Sequence, residues 1–112
     1  MGRRNFAILD GPLTVDSVQV VSIDGRQVPA CVCWIETDHP ALGGRHQVVI
    51  YGQQAQEVIA FIRAGGGRVD ATVDGWLRTV EGGTVVIADR CSFHVGGEVT
   101  TEARRLLQQG GG

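Results

Sequence analysis

The sequence predicts an all-β domain, a small five-stranded barrel with a single α-helix between its third and fourth strands. Three observations carry that expectation. Sixteen valines and seventeen glycines occur in 112 residues; valine suits a pleated surface and glycine suits turns and bulges. Most of the chain divides into short runs with a two-residue period, separated by glycine-containing turn pairs. Only one internal stretch, residues 53–64, changes to a helical period.

Taken in order, residues 5–10 form a short apolar run that ends at the turn signal Gly11-Pro12. Residues 15–23 alternate loosely and stop at Asp24-Gly25, a pair favoured in two-residue hairpin turns. A strand resumes over 28–37, so 18–37 reads as a β-hairpin. Residues 38–44, with Pro40 and Gly43-Gly44, are expected as a loop, and 47–51 as a third strand closed by Gly52. Ala55, Val58, Ile59 and Ile62 then fall at i, i+3, i+4 and i+7, one apolar stripe on a helix that Gly65-Gly66-Gly67 terminates. Val69, Ala71, Val73, Gly75 and Leu77 alternate with polar residues, which sets Val69, Ala71, Val73 and Leu77 toward the core of a fourth strand. Glu81-Gly82-Gly83 turns the chain into a last strand over 84–95. Residues 100–109 predict a short helix capped by Thr100 or Thr101, followed by a glycine tail. The expected organisation is one domain over 1–99 and a helix with a Gly-rich tail over 100–112. Five strands with a helix between the third and fourth is the order of the OB-fold, a Greek-key barrel that binds oligonucleotides or oligosaccharides.

At 112 residues and 11.9 kDa the chain can bury roughly two-thirds of its unfolded surface, enough for a core without staples. Hydrophobic residues at 43% and charged residues at 20% exclude a disordered tail and a coiled coil. The longest apolar run, at positions 30–35, falls far short of the about 20 residues that cross a bilayer. Met1-Gly2-Arg3-Arg4-Asn5 has no secretory apolar stretch, so a cytoplasmic location is expected. The net charge of −2 is not the basic balance that advertises nucleic acid by composition. All ten cations are arginine; a GC-rich genome accounts for that bias, although the planar guanidinium also pairs with phosphate and stacks on bases. Cys31, Cys33 and Cys91 are an odd number without an export signal, which argues against a disulfide framework.

Four blocks carry a family resemblance. The segment from Asn5-Phe6-Ala7-Ile8 through Gly11-Pro12-Leu13 to Asp16 resembles the opening strand of bacterial single-stranded DNA-binding proteins. Val48-Val49-Ile50-Tyr51-Gly52, with Ala55 and Glu57-Val58, is similar to that family's third strand and following helix. Val73-Asp74-Gly75-Trp76-Leu77-Arg78-Thr79 resembles its fourth strand, and Val86-Ile87-Ala88-Asp89-Arg90-Cys91-Ser92-Phe93 its closing strand. The blocks keep the family's order over residues 5–95. The resemblance implies an OB-fold that assembles into dimers or tetramers and binds single strands with little sequence preference.

Such binding needs cations along the backbone and flat aromatic faces for the bases. By strand parity Arg45, Gln47, Val49 and Tyr51 share one face of the third strand, and His46, Val48 and Ile50 the other. The resemblance turns the first set toward DNA and puts Tyr51 where the family keeps an aromatic. In the second strand Cys31, Cys33 and Ile35 take the core phase, so Val32, Trp34 and Glu36 point outward. In the fourth, Trp76 and Arg78 point outward. The candidate nucleic-acid-binding residues are therefore Trp34, Arg45, Gln47, Tyr51, Trp76 and Arg78. Outward aromatics serve a subunit interface equally well, and a solvated charge is the ordinary state of an arginine.

The chain departs from the family in three places. Gly44-Arg45 stands where many members carry an aromatic, and the short Val80-Glu81-Gly82-Gly83 replaces a long basic loop. The sequence stops at Gly112 without an acidic C-terminal tip, the family's docking tail for repair and replication proteins; the expectation is either that it ends within the linker before such a tip or that the protein has none. Weaker binding is the expected consequence. Catalysis finds no support: there is no Gly-x-Ser-x-Gly elbow, no P-loop and no His-Glu-x-x-His, and His39, His46 and His94 are scattered. Gly65-Gly66-Gly67 ends a helix instead of opening one, so it is no phosphate cradle. Cys31-x-Cys33 with Cys91-x-x-His94 makes a nominal zinc set, but the cysteines take core phases and His94 the opposite one. The expectation is no enzyme and no cofactor: a homo-oligomeric binder of single-stranded DNA at the nucleoid, serving replication, repair or recombination, with replication and repair proteins as partners and no membrane. The alternatives are a dimeric adaptor of the primosomal replication protein N kind, or an interaction scaffold with weak DNA binding.

Overall fold

The structure is a computed structural model that describes residues 6–38 and 43–110. Asn5, His39, most of the 38–44 loop and the last two glycines lie outside the described residues. The elements are β1 (Phe6–Ile23), β2 (Arg26–Thr37), β3 (Gly44–Tyr51), α1 (Gln53–Ala64), β4 (Val69–Val80), β5 (Gly83–Phe93) and α2 (Gly97–Gly110). The strands close into a barrel in the order β1-β2-β3-β5-β4, with β4 returning to β1. Neighbours are antiparallel except β3 and β5, which pair in parallel. The five strands and the helix between the third and fourth agree with the sequence; a second helix comes after β5.

Gly11-Pro12 does not end a strand. β1 runs 18 residues through it, pairing first with β4 up to Leu13 and then with β2 from Leu13 onward. The strand bends across β2 so closely at the changeover that a Cβ on Gly11 would sit 1.8 Å from the Glu36 carbonyl oxygen. Glycine here permits a close approach and not a reversal. Further on, the register shifts between Val15 and Ser17, so Asp16 is a bulge that flips the phase of the rest of the strand. That bulge is why residues 15–23 alternate only loosely. The hairpin turn forms where expected, with Asp24 at φ 50° and Gly25 at φ 78°, the left-handed pair that matches the twist of a two-residue hairpin.

The core collects Leu13 from β1, Cys31, Cys33 and Ile35 from β2, Val48 and Ile50 from β3, Val69, Ala71 and Val73 from β4, and Val86 from β5. Ala55, Val58 and Ile62 of α1 complete it. Each fully buried aliphatic side chain of this size contributes about 1.5–3 kcal/mol. α1 stops in a Schellman-type end: Gly67 N–H donates to the Ile62 carbonyl and Gly66 N–H to that of Arg63, with Gly66 at φ 84°.

Three further boundaries depart from the sequence reading. Leu77 shares the inward phase of its partner Val86 but is 40% exposed, in the outer part of the β4–β5 hairpin where residues 76–84 are all exposed. β5 ends at Phe93 instead of residue 95. α2 starts at Gly97, so neither Thr100 nor Thr101 caps it; the Thr100 hydroxyl instead donates back to the Gly96 carbonyl. α2 packs against α1 and buries Ala103. No helix among the described residues is long and apolar enough to cross a membrane.

Candidate functional site

The antiparallel register of β2 and β3 opposes Trp34 to Gln47, Val32 to Val49 and Ala30 to Tyr51. Directly opposed residues project from the same face of a sheet. The alternate residues, Cys31, Cys33, Ile35, Val48 and Ile50, are fully buried, so the first set lies on the outer wall as parity predicts. Tyr51 is four residues beyond Gln47 along β3, about 13 Å at about 3.3 Å per residue. Trp34 and Tyr51 thus share a wall at separate stations.

Arg45, two residues before Gln47, reaches diagonally across the ladder. Its guanidinium carbon lies 4.4 Å from the Trp34 ring centroid, a cation–π contact. Val48 pairs with Val86, which brings Val85 beside Gln47, and Val85 in turn pairs with Arg78. Trp34, Gln47, Val85 and Arg78 therefore form one row across β2, β3, β5 and β4. Val85 has the outward phase yet is buried, because it lies in the floor of a groove of about 240 Å³. Trp34, Arg45 and Gln47 line one side of that groove, and the β4–β5 turn with Val80, Glu81 and Gly82 lines the other. Arg78 is exposed beside it.

Trp76 belongs to the next row. Val32 pairs with Val49, Val49 with Ile87, Ile87 with Trp76 and Trp76 with Phe6. These pairs make an apolar belt across all five strands on the outside of the barrel. Trp76 is 48% and Phe6 43% exposed, and their rings meet edge to face at 5.6 Å between centroids. Asp74 and Arg78 flank Trp76 on the same outward phase of β4. The six sequence candidates thus divide: Trp34, Arg45 and Gln47 come together, Arg78 and Tyr51 lie on the same wall, and Trp76 joins Phe6. Phe6 and Glu81 escape the sequence reading. Phe6 is found only through its register with Trp76, and Glu81 reads from sequence as a negative charge added to a shortened loop, with no role at the site.

The remaining polar groups lie elsewhere. On the outer wall of β1 and β4 the Thr72 hydroxyl donates to Asp10 Oδ1 at 2.9 Å and lies 2.7 Å from His94 Nε2. His94 is therefore turned away from the nominal zinc set, and among the described residues no cluster of His, Cys, Asp and Glu is arranged to hold a metal. Cys31 and Cys33 are buried with their sulfurs 3.4 Å apart. The Cys31 hydrogen bond, and then burial, push the Cys33 thiol far above the usual range. Burial, with the charges of Asp74 and Glu57, pushes Cys91 up to about 12. Cys33 and Cys91 stay protonated and pack as small hydrophobes. What the outer wall offers is a stacking surface, a held guanidinium and an amide, which suits a planar ring attached to an anion.

No protein-family model matches the sequence, and no curated protein matches it. Solved structures do share its fold. The SSB domain of a Synechococcus sp. protein is 22% identical, with a TM-score of 0.61 over 84% of this chain and 99% of that one. A deletion mutant of the single-stranded DNA binding protein from Thermus aquaticus is 18% identical, with a TM-score of 0.59 over 82% of this chain; the match spans 42% of that longer protein. The protein PriB from Ralstonia solanacearum is 12% identical, with a TM-score of 0.57 over 83% of this chain and 100% of that one. The chain therefore has an OB-like fold.

Proposed function

We propose that this protein binds single-stranded DNA, with little sequence preference, along the outer wall of β2 and β3. The observation that supports this most strongly is the Arg45–Trp34 stack beside Gln47, on the wall that also presents Tyr51. Trp34 and Tyr51 stack bases, Arg45 neutralises a phosphate, and Gln47 offers its amide to the backbone or to a base edge. Each stacked base contributes about 1–3 kcal/mol. The four sequence blocks that resemble bacterial single-stranded DNA-binding proteins support the same reading, as does the fold shared with the Synechococcus and Thermus proteins. The protein sequesters strands opened in replication, repair or recombination, in the cytoplasm at the nucleoid, and performs no catalysis.

The Phe6–Trp76 belt supports self-association. Along β4 the outward phases read Asp74, Trp76, Arg78. A two-fold axis through Trp76 would set Arg78 of one copy against Asp74 of the other, twice, around an apolar centre of Trp76, Phe6 and Ile87. Aromatic centres with charged rims are the usual anatomy of such contacts. This reading assigns Trp76 and Arg78 to the subunit contact in place of stacking and phosphate contact.

A second reading, a dimeric replication adaptor with weak DNA affinity, is favoured by the short β4–β5 turn. Fluorescence anisotropy of a labelled oligo-dT, with a duplex of the same length as control, tests the proposal. Salt-sensitive binding of the single strand alone supports it. Equal binding of both, or of neither at low salt, would refute it; only the absence of binding would leave the adaptor reading.

A further inference from the structure

We infer that the groove between the Trp34–Arg45 stack and the β4–β5 turn seats one nucleobase, and that Glu81 makes this station prefer guanine. The inference rests on the DNA-binding reading and adds base selectivity at one position of it.

The groove holds about 240 Å³, below the about 300–1,000 Å³ usual for drug-sized ligands, so a single flat ring system is the fitting occupant. Its two sides carry opposite charge. Arg45 is fixed on one side by its contact with Trp34, and Glu81 lines the other. A nucleotide is polar in the same sense, with an anionic phosphate at one end and N–H groups on the base edge at the other. With the phosphate at Arg45, the base edge faces the turn.

A carboxylate only accepts hydrogen bonds, so it selects among bases by their donors. Guanine places N1–H and the N2 amino group side by side, matching two carboxylate oxygens. Cytosine and adenine offer one amino group beside a ring acceptor. Thymine offers one N–H between two carbonyl oxygens, which the carboxylate repels. Bases in single strands are commonly read on this edge while stacked on aromatic or guanidinium planes. Val80 and Val85 supply the apolar contact for the ring.

If Glu81 were only a repulsive surface charge, its removal would tighten every strand alike. The test is binding of nine-nucleotide dT strands carrying one central dG, dC, dA or dT, by anisotropy at fixed salt, to the full chain and to Glu81→Gln. The expected result is tightest binding of the dG strand, about tenfold over all-dT, with the preference collapsing in Glu81→Gln while all-dT binding is kept or improved. Equal binding of the four strands by the unaltered protein overturns the inference and leaves DNA binding intact. So does a uniform gain across all strands in Glu81→Gln with their order unchanged. Failure of every strand to bind removes the DNA-binding reading, and this inference with it.

Discussion

The Arg45 guanidinium lies 4.4 Å from the centre of the Trp34 ring, so the indole face nearest the groove already carries a cation. An exposed contact of this kind contributes about 0.5–1 kcal/mol, less than the about 1–3 kcal/mol of a stacked base. A base can therefore displace the guanidinium from the ring and release it to a phosphate, or stack on its outer face. In both cases Arg45 and Trp34 act as one unit.

Arg45→Ala should weaken oligo-dT binding and lower the slope of log affinity against log salt by about 0.7, the value for one lost single-strand phosphate contact. Arg45→Lys keeps the charge but loses the planar stack. It should keep the slope while changing the Trp34 emission of the free protein. Titrations at several salt concentrations read both effects.

Trp34→Ala and Tyr51→Ala should each cost about 1–3 kcal/mol of binding, as for one lost base stack. Trp76→Ala should leave oligo-dT affinity within about twofold, a change below the size of a single stack. A loss at Trp76 equal to that at Trp34 would return it to the DNA surface.

The subunit contact predicts charge reciprocity. Asp74→Arg alone should drive the protein to a monomer in sedimentation velocity, since it sets two arginine–arginine pairs across the axis. Combining it with Arg78→Asp should restore the assembly, because the swapped pair is again complementary. Unchanged sedimentation of the single variant would remove the belt from the contact.

Gly11→Ala should destabilise the fold by several kcal/mol in a urea titration, through the collision of its Cβ with the Glu36 carbonyl. Gly25→Ala, where nothing lies within 4 Å, meets only the strain of a positive φ and should cost about 1–2 kcal/mol, less than Gly11→Ala.

Cys91 carries a pH dependence whose sign is set by its raised pKa. Below 9.0 the thiol is protonated in both folded and unfolded chains and contributes no slope. Between 9.0 and about 12 the unfolded chain releases the proton and the folded chain holds it, so stability falls as pH rises. Cys33 acts in the same direction and its hydrogen-bond partner Cys31, whose pKa that bond lowers, in the opposite one, so Cys91 carries the net trend. Thermal melts from neutral to alkaline pH should show the decline, and Cys91→Ala should make it shallower.

Much of this fold is legible because it is locally encoded. Asp24-Gly25 sets its own turn, the Ala55–Ile62 stripe its own helix, and the phases of β2 and β3 match the buried Cys31, Cys33, Val48 and Ile50. The features that local sequence does not encode depend on distant partners. Gly11-Pro12 looks like a turn until β1 is seen to change from β4 to β2 beneath Glu36. Leu77 has a core phase, but it lies in the outer part of the β4–β5 hairpin, which projects beyond the core. Of the candidate site, parity puts Arg45 and Gln47 on one face of the third strand and Trp34 on the outward phase of the second, and the family resemblance turns the Arg45 face toward DNA. The pairing of Trp76 with Phe6, and the placing of Glu81 across the groove from Trp34, arise only when β4 closes against β1 and β5.

The most direct measurement uses the two tryptophans separately. A Trp76→Phe protein leaves Trp34 as its single indole, and Trp34→Phe leaves Trp76. Titrated with oligo-dT at low salt, the Trp34-only protein should be deeply quenched, less so as salt rises and not at all with duplex, while the Trp76-only protein changes little. Quenching confined to Trp76, or absent from both, would contradict single-strand binding on the β2–β3 wall.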